Sequence, residues 1–142
     1  MNKEFVTYAQ ALALKELGFN EPCFGYYNTN TQGKMDHKVI EGLLEWYGDD
    51  YQPHNSMLHH SKIAAPLKQQ VFRWFREKHG MLGCIELTEP EYGGNYGYKL
   101  YYKLNHLCID HWSKGYKTYE EVEDACIDKL IELIKQKQHE QD

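Results

Sequence analysis

The chain has 142 residues and a mass of 16.8 kDa, the size of one ordinary domain core. It carries 16 Lys+Arg against 21 Asp+Glu, a net charge of −5 with a pI near 5.9, which excludes a generic nucleic-acid coater. Hydrophobic residues at 42% and charged residues at 26% exclude wholesale disorder, while twelve Tyr and three Trp lift the aromatic share to 14%.

The first apolar stretch is interrupted by Gln10, Lys15 and Glu16, so it lacks the continuous core of a secretory signal. No apolar run approaches the roughly 18–20 residues of a membrane span. Cys23, Cys84, Cys108 and Cys126 form no CxxC pair and have apolar or aromatic neighbours, so all four are expected to be buried free thiols in a reducing cytoplasm.

Thr7 and Gln10 make a capping box, and Ala11, Leu14 and Leu17 then share one helical face that stops at Gly18. Residues 23–27 read as a short strand, 28–33 as a turn and 36–40 as a second strand. Residues 41–64 are expected to be a long irregular segment, broken by Gly48, Asp49, Asp50 and Pro53. Pro66 then suits the first turn of a helix whose apolar face holds Leu67, Val71, Trp74 and Phe75, ended by Gly80. Cys84–Thr88 reads as a strand leading to a turn rich in glycine. From Tyr98 to Leu104 the pattern alternates, with Tyr98, Leu100, Tyr102 and Leu104 on one face and Lys99, Tyr101 and Lys103 on the other. Leu107, Ile109 and Trp112 suggest a further strand. Thr118 and Glu121 form a second capping box that opens the longest helix, with acids in its first turns, lysines in its last, and a tail over 138–142 expected to fray.

This order, α-β-β-α-β-β-(β)-α, predicts an α+β chain: a single two-layer domain with an antiparallel sheet of four to five strands and three helices. Much of the acidity is local, because residues 116–142 hold eight acids and four lysines.

Residues 11–28 (ALALKELGFNEPCFGYYN), 65–80 (APLKQQVFRWFREKHG) and 118–137 (TYEEVEDACIDKLIELIKQK) cover a little over a third of the chain. Together, and in this order, they resemble a family of small uncharacterised proteins of Bacteroidetes genomes, prophages and phages. The resemblance carries no assigned activity and no catalytic residue. It implies an accessory protein that binds a partner rather than transforming it. Residues 34–64 depart from the pattern.

Four kinds of chemistry are open to these residues. A metal could draw on His106, Cys108 and Asp110, expected to alternate on one strand face with His111 next, and on His54, His59 and His60; His-x-Cys is not a recurrent zinc spacing, and a structural or surface role is the plainer reading, with no metal or cofactor expected. A two-histidine phosphoesterase could use His59-His60-Ser61, but its second motif, His106-Leu107-Cys108, has a thiol where a hydroxyl is needed. Lys99, Tyr101 and Lys103, with Tyr92, Tyr96, Arg73 and Arg76, could hold a nucleotide, a nucleic acid or another small anion by stacking and phosphate pairing. The competing reading is an ordinary solvated face neutralised by Glu86 and Glu89. Finally, Trp46, Tyr47, Tyr51 and Trp112 could form a protein interface or complete the core.

The sequence contains no GxSxG, GxxxxGK[ST] or GxGxxG motif. The expectation is therefore a non-enzymatic cytoplasmic protein that sequesters or blocks a host protein or small anionic ligand, with self-association open. Ligand binding on the aromatic, basic strand face is the alternative.

Overall fold

The computed structural model describes residues 2–29, 39–41, 54–56, 58, 61–111 and 114–141. They form helices α1 (Tyr8–Glu16), α2 (Lys68–Lys78) and α3 (Tyr119–Glu140) and strands β1 (Gly25–Asn28), β2 (Ile40–Glu41), β3 (Lys62–Ala65), β4 (Met81–Leu87), β5 (Tyr96–Tyr102) and β6 (Cys108–His111). The α+β class and the three helices match expectation. The strands differ from it: they make two three-stranded antiparallel sheets, ordered β2-β1-β3 and β4-β5-β6, in place of one sheet of four to five strands. The chain groups into two compact units, Met1–Lys68 and Gln69–Asp142.

In the first unit the capping box closes as read. Gln10 N donates to Thr7 Oγ1 at 3.2 Å, and Thr7 N donates to Gln10 Oε1 at 3.0 Å. Gly18, at φ 91°, ends the helix in the left-handed region that favours glycine. Ala11 and Leu14 of α1 are buried, as are Tyr27 of β1 and its register partner Ile63 of β3. The Tyr27 hydroxyl donates to Val6 O at 2.6 Å. Strand β3 overlaps the end of the stretch, 41–64, expected to be irregular. Its four residues carry no alternation, and they become a strand by pairing with β1, more than thirty positions earlier. Pro66 consequently lies before α2 rather than in its first turn, and its carbonyl accepts from Val6 N at 3.1 Å. Asn55 joins two parts of this unit: its Nδ2 donates to Phe19 O at 2.8 Å while its Oδ1 accepts from Ala64 N at 3.0 Å.

In the second unit, β4 and β5 pair from Met81↔Tyr102 to Leu87↔Tyr96. Opposed residues share a face. One face carries Met81, Gly83, Tyr98 and Leu100, and a Cβ added at Gly83 would stand 2.8 Å from Cys126 Sγ of α3 and 3.0 Å from Phe72 of α2. Both helices thus cover this face and make two layers. Its core holds Val71, Phe75, Met81, Leu100, Val122, Ile127 and Leu130, all fully buried, each contributing on the order of 1.5–3 kcal/mol by leaving water.

The second capping box forms by half. Glu121 N donates to Thr118 Oγ1 at 3.2 Å, but the Glu121 carboxylate accepts from Lys117 N. Helix α3 continues to Glu140, through part of the tail expected to fray. No helix among the described residues is long and apolar enough to cross a membrane.

Candidate functional site

Strand β5 presents Lys99 and Tyr101 on the sheet face opposite the helices, in register with Cys84 and Leu82 of β4. Lys99 Nζ lies 3.3 Å from Glu86 Oε1, and this hydrogen bond with the adjacent negative charge holds the ammonium above its ordinary pKa. The neutralised face is therefore realised at Lys99, through Glu86. Arg73 and Arg76 are exposed on α2, across the sheet from Lys99 and Tyr101, so the five residues expected to share one ligand face do not converge. The interface candidates Trp46, Tyr47, Tyr51 and Trp112 lie outside the described residues, as do His59 and His60.

Alternation along β6 breaks at a register shift. Tyr101 opposes Cys108 and Leu100 opposes Asp110, leaving Ile109 as the extra residue. Cys108 and Asp110 accordingly do not share a face as expected. The Asp110 carboxylate instead accepts from the Tyr98 hydroxyl at 3.4 Å, beneath the helices. Burial, followed by the Asp110 charge, raises the Tyr98 pKa well above the usual phenol range. His106 sits in the turn before β6 at φ 57°. Among the described residues no three His, Cys, Asp or Glu side chains are grouped to hold a metal ion.

The cysteines divide into two pairs. Cys23 and Cys126 are buried, and burial pushes both thiols up to about 12, with Glu21 adding to the effect at Cys23 and Cys84 at Cys126. Cys84 and Cys108 are exposed, against the expectation of four buried thiols, because both fall on the sheet face opposite the helices.

Among the described residues, a space open to a ligand lies at one end of this sheet. Gly80, at φ 65°, turns the chain out of α2 and into β4, and its carbonyl accepts from Lys103 N at 2.7 Å. Strand β5 ends at Tyr102 and the chain turns through Lys103–Leu107. That turn is closed by Tyr102 N to Leu107 O at 2.9 Å and His106 N to Tyr102 O at 3.0 Å. A cleft of about 610 Å³ opens here, lined by His79, Gly80, Tyr102, Lys103, Leu104 and Asn105. Leu104, expected on the buried face of the strand, is 96% exposed because β5 ends two residues earlier.

The His79 ring stands edge-on to Trp74 at 4.8 Å, and its Nε2 is buried with no hydrogen-bond partner among the described residues. Burial, together with Lys137 and Lys78, lowers the His79 pKa, so the imidazole is neutral near pH 7. Helix α3 delivers Lys137, whose Nζ lies 4.3 Å from the centroid of the Tyr102 ring, a cation–π contact. Neither Lys103 nor Lys137 has a carboxylate partner among the described residues. Of the residues expected to bind ligand, only Lys103 lines this cleft; His79, Tyr102 and Lys137 were not legible as a group because they come from three elements. No protein-family model, curated protein or solved structure matches the chain.

Proposed function

We propose that the protein works by binding rather than turnover, and that its second unit takes up a small organic anion in the cleft between His79-Gly80 and the β5–β6 turn. The observation that carries this reading is the meeting of a cleft of about 610 Å³ with two ammonium groups, Lys103 on its wall and Lys137 on Tyr102. Small-molecule sites are concave, largely apolar and about 300–1,000 Å³ in volume, with a few polar groups that fix orientation. Here Leu104 and Tyr102 supply apolar surface, the lysines supply charge, and His79 supplies a neutral polar ring. The net charge of −5 does not oppose this reading, because its long-range repulsion is screened within about 10 Å at ordinary salt.

A second reading keeps the same turn and changes the ligand. Leu104 is 96% exposed and Leu107 58% exposed on one short turn, which favours capture of a host protein through apolar contacts. The resemblance to phage and prophage proteins supports this reading, and a cytoplasmic setting accords with four free thiols.

Titration with anilinonaphthalene sulfonate, followed by amide NMR, separates the two. Saturable shifts confined to His79–Met81 and Tyr102–Leu107 are the expected outcome. Absence of saturation, or shifts dispersed over other elements, would count against the cleft. Native mass spectrometry of freshly purified protein reports any retained ligand and any self-association.

A further inference from the structure

Resting on the cleft as a ligand site, we infer that it selects an apolar monocarboxylate over a polyphosphate. Phosphate cradles are built from free backbone amides, commonly at a helix N-terminus. In this turn four amides are already engaged. Tyr102 N and Lys103 N donate to Leu107 O and Gly80 O, His106 N donates to Tyr102 O, and Leu107 N donates to Asn105 Oδ1 at 3.0 Å. The helix at the cleft wall presents the wrong end for phosphate: α2 closes at Lys78, immediately before His79 and Gly80, so its terminus brings partial negative charge. Each further charge on a ligand adds to that repulsion.

The side chains set the opposite preference. Lys103 provides one point-like ammonium group on the lining, with a second, Lys137, on the Tyr102 ring beside it, a charge suited to one carboxylate. The Arg side chains that favour bidentate phosphate pairing, Arg73 and Arg76, are absent from the lining. Leu104 offers an apolar wall that makes no use of a sugar or a second anion. Lys137 already covers one face of the Tyr102 ring, so that face is closed to a stacked base.

The test compares naphthoate, naphthalenemethanol and adenosine triphosphate on the intact protein, by calorimetry and by the amide signals of His79 and Leu104. Expected are one-to-one binding of naphthoate, affinity about tenfold lower in Lys103→Gln, a similar loss for the uncharged alcohol, and no displacement by the nucleotide. Tighter binding of adenosine triphosphate at the same signals would overturn the monocarboxylate class and leave the cleft reading in place. Equal affinity for the alcohol and the acid would overturn the class as well. No response of His79 or Leu104 to any of the three would overturn the cleft itself.

Discussion

The two ends of the β4-β5-β6 sheet solve the same problem in opposite ways. At the end built from the β4–β5 connection, main chain lies directly on main chain. A Cβ at Gly94 would stand 2.6 Å from the carbonyl carbon of Gly115, and one at Gly115 would stand 2.6 Å from Gly94 N. Gly115 N donates to Tyr92 O at 2.6 Å, Asn95 N and Tyr96 N both donate to Tyr116 O, and Tyr116 N returns a bond to Tyr96 O at 2.8 Å. At the other end, the β5–β6 turn satisfies its own hydrogen bonds, leaves Leu104 in solvent and opens the cleft. Two glycines close one end. At the other, the side chains of His79, Tyr102, Lys103, Leu104 and Asn105 line an open cleft. A sheet can thus spend its backbone contacts at one edge for rigidity and keep side-chain surface at the other for recognition.

Substitutions should separate the two ends by stability. Gly94→Ala forces a methyl into backbone and is expected to cost about 2–3 kcal/mol, read as a fall in melting temperature of roughly 5–10 °C. A drop of under a degree would show that the closed end is not tightly packed. The next effect belongs to the open end and depends on pH. The folded His79 pKa lies below its unfolded value, so its contribution is complete above pH 6.5 and declines as pH falls below 6.5 toward the folded pKa. Wild-type protein should therefore lose more stability between pH 7 and pH 5 than His79→Phe, measured by parallel denaturant melts; parallel curves would refute it. Smaller again is Lys99→Ala on the sheet face between the ends. Its ion pair with Glu86 is solvent-exposed, and the melting temperature should be essentially unchanged. The smallest stability change is expected for Leu104→Ser, which removes an exposed side chain; its effect should instead appear as weakened uptake of naphthoate.

Local signals were legible in the sequence and long-range ones were not. The Thr7–Gln10 box needs only three residues of separation, and it formed as read. The Thr118–Glu121 box formed by half because Lys117 N lay within reach of the same carboxylate. Strand β3 escaped notice since Lys62–Ala65 is defined by its β1 partner rather than by any period of its own. Alternation located β5 and placed Lys99 and Tyr101 together, yet could not show that pairing stops at Tyr102 and releases Leu104. A single extra residue at the Leu100/Tyr101 shift likewise separated Cys108 from Asp110. The cleft was the least legible feature. It brings His79 to Tyr102, with Lys137 on the Tyr102 ring, and their proximity depends on how two helices and a strand end meet at one end of a sheet.

Asn55 in the first unit works as a clasp. One amide serves two masters there, donating to the Phe19 carbonyl and accepting from Ala64 N. The next amide is tied down as well, Ser56 N donating to Asn20 Oδ1 at 2.7 Å, so this short segment is clasped from both sides. A carboxylate in place of the Asn55 amide keeps the acceptor for Ala64 N but has no proton for Phe19, so Asn55→Asp should release one half of the clasp and leave the other closed.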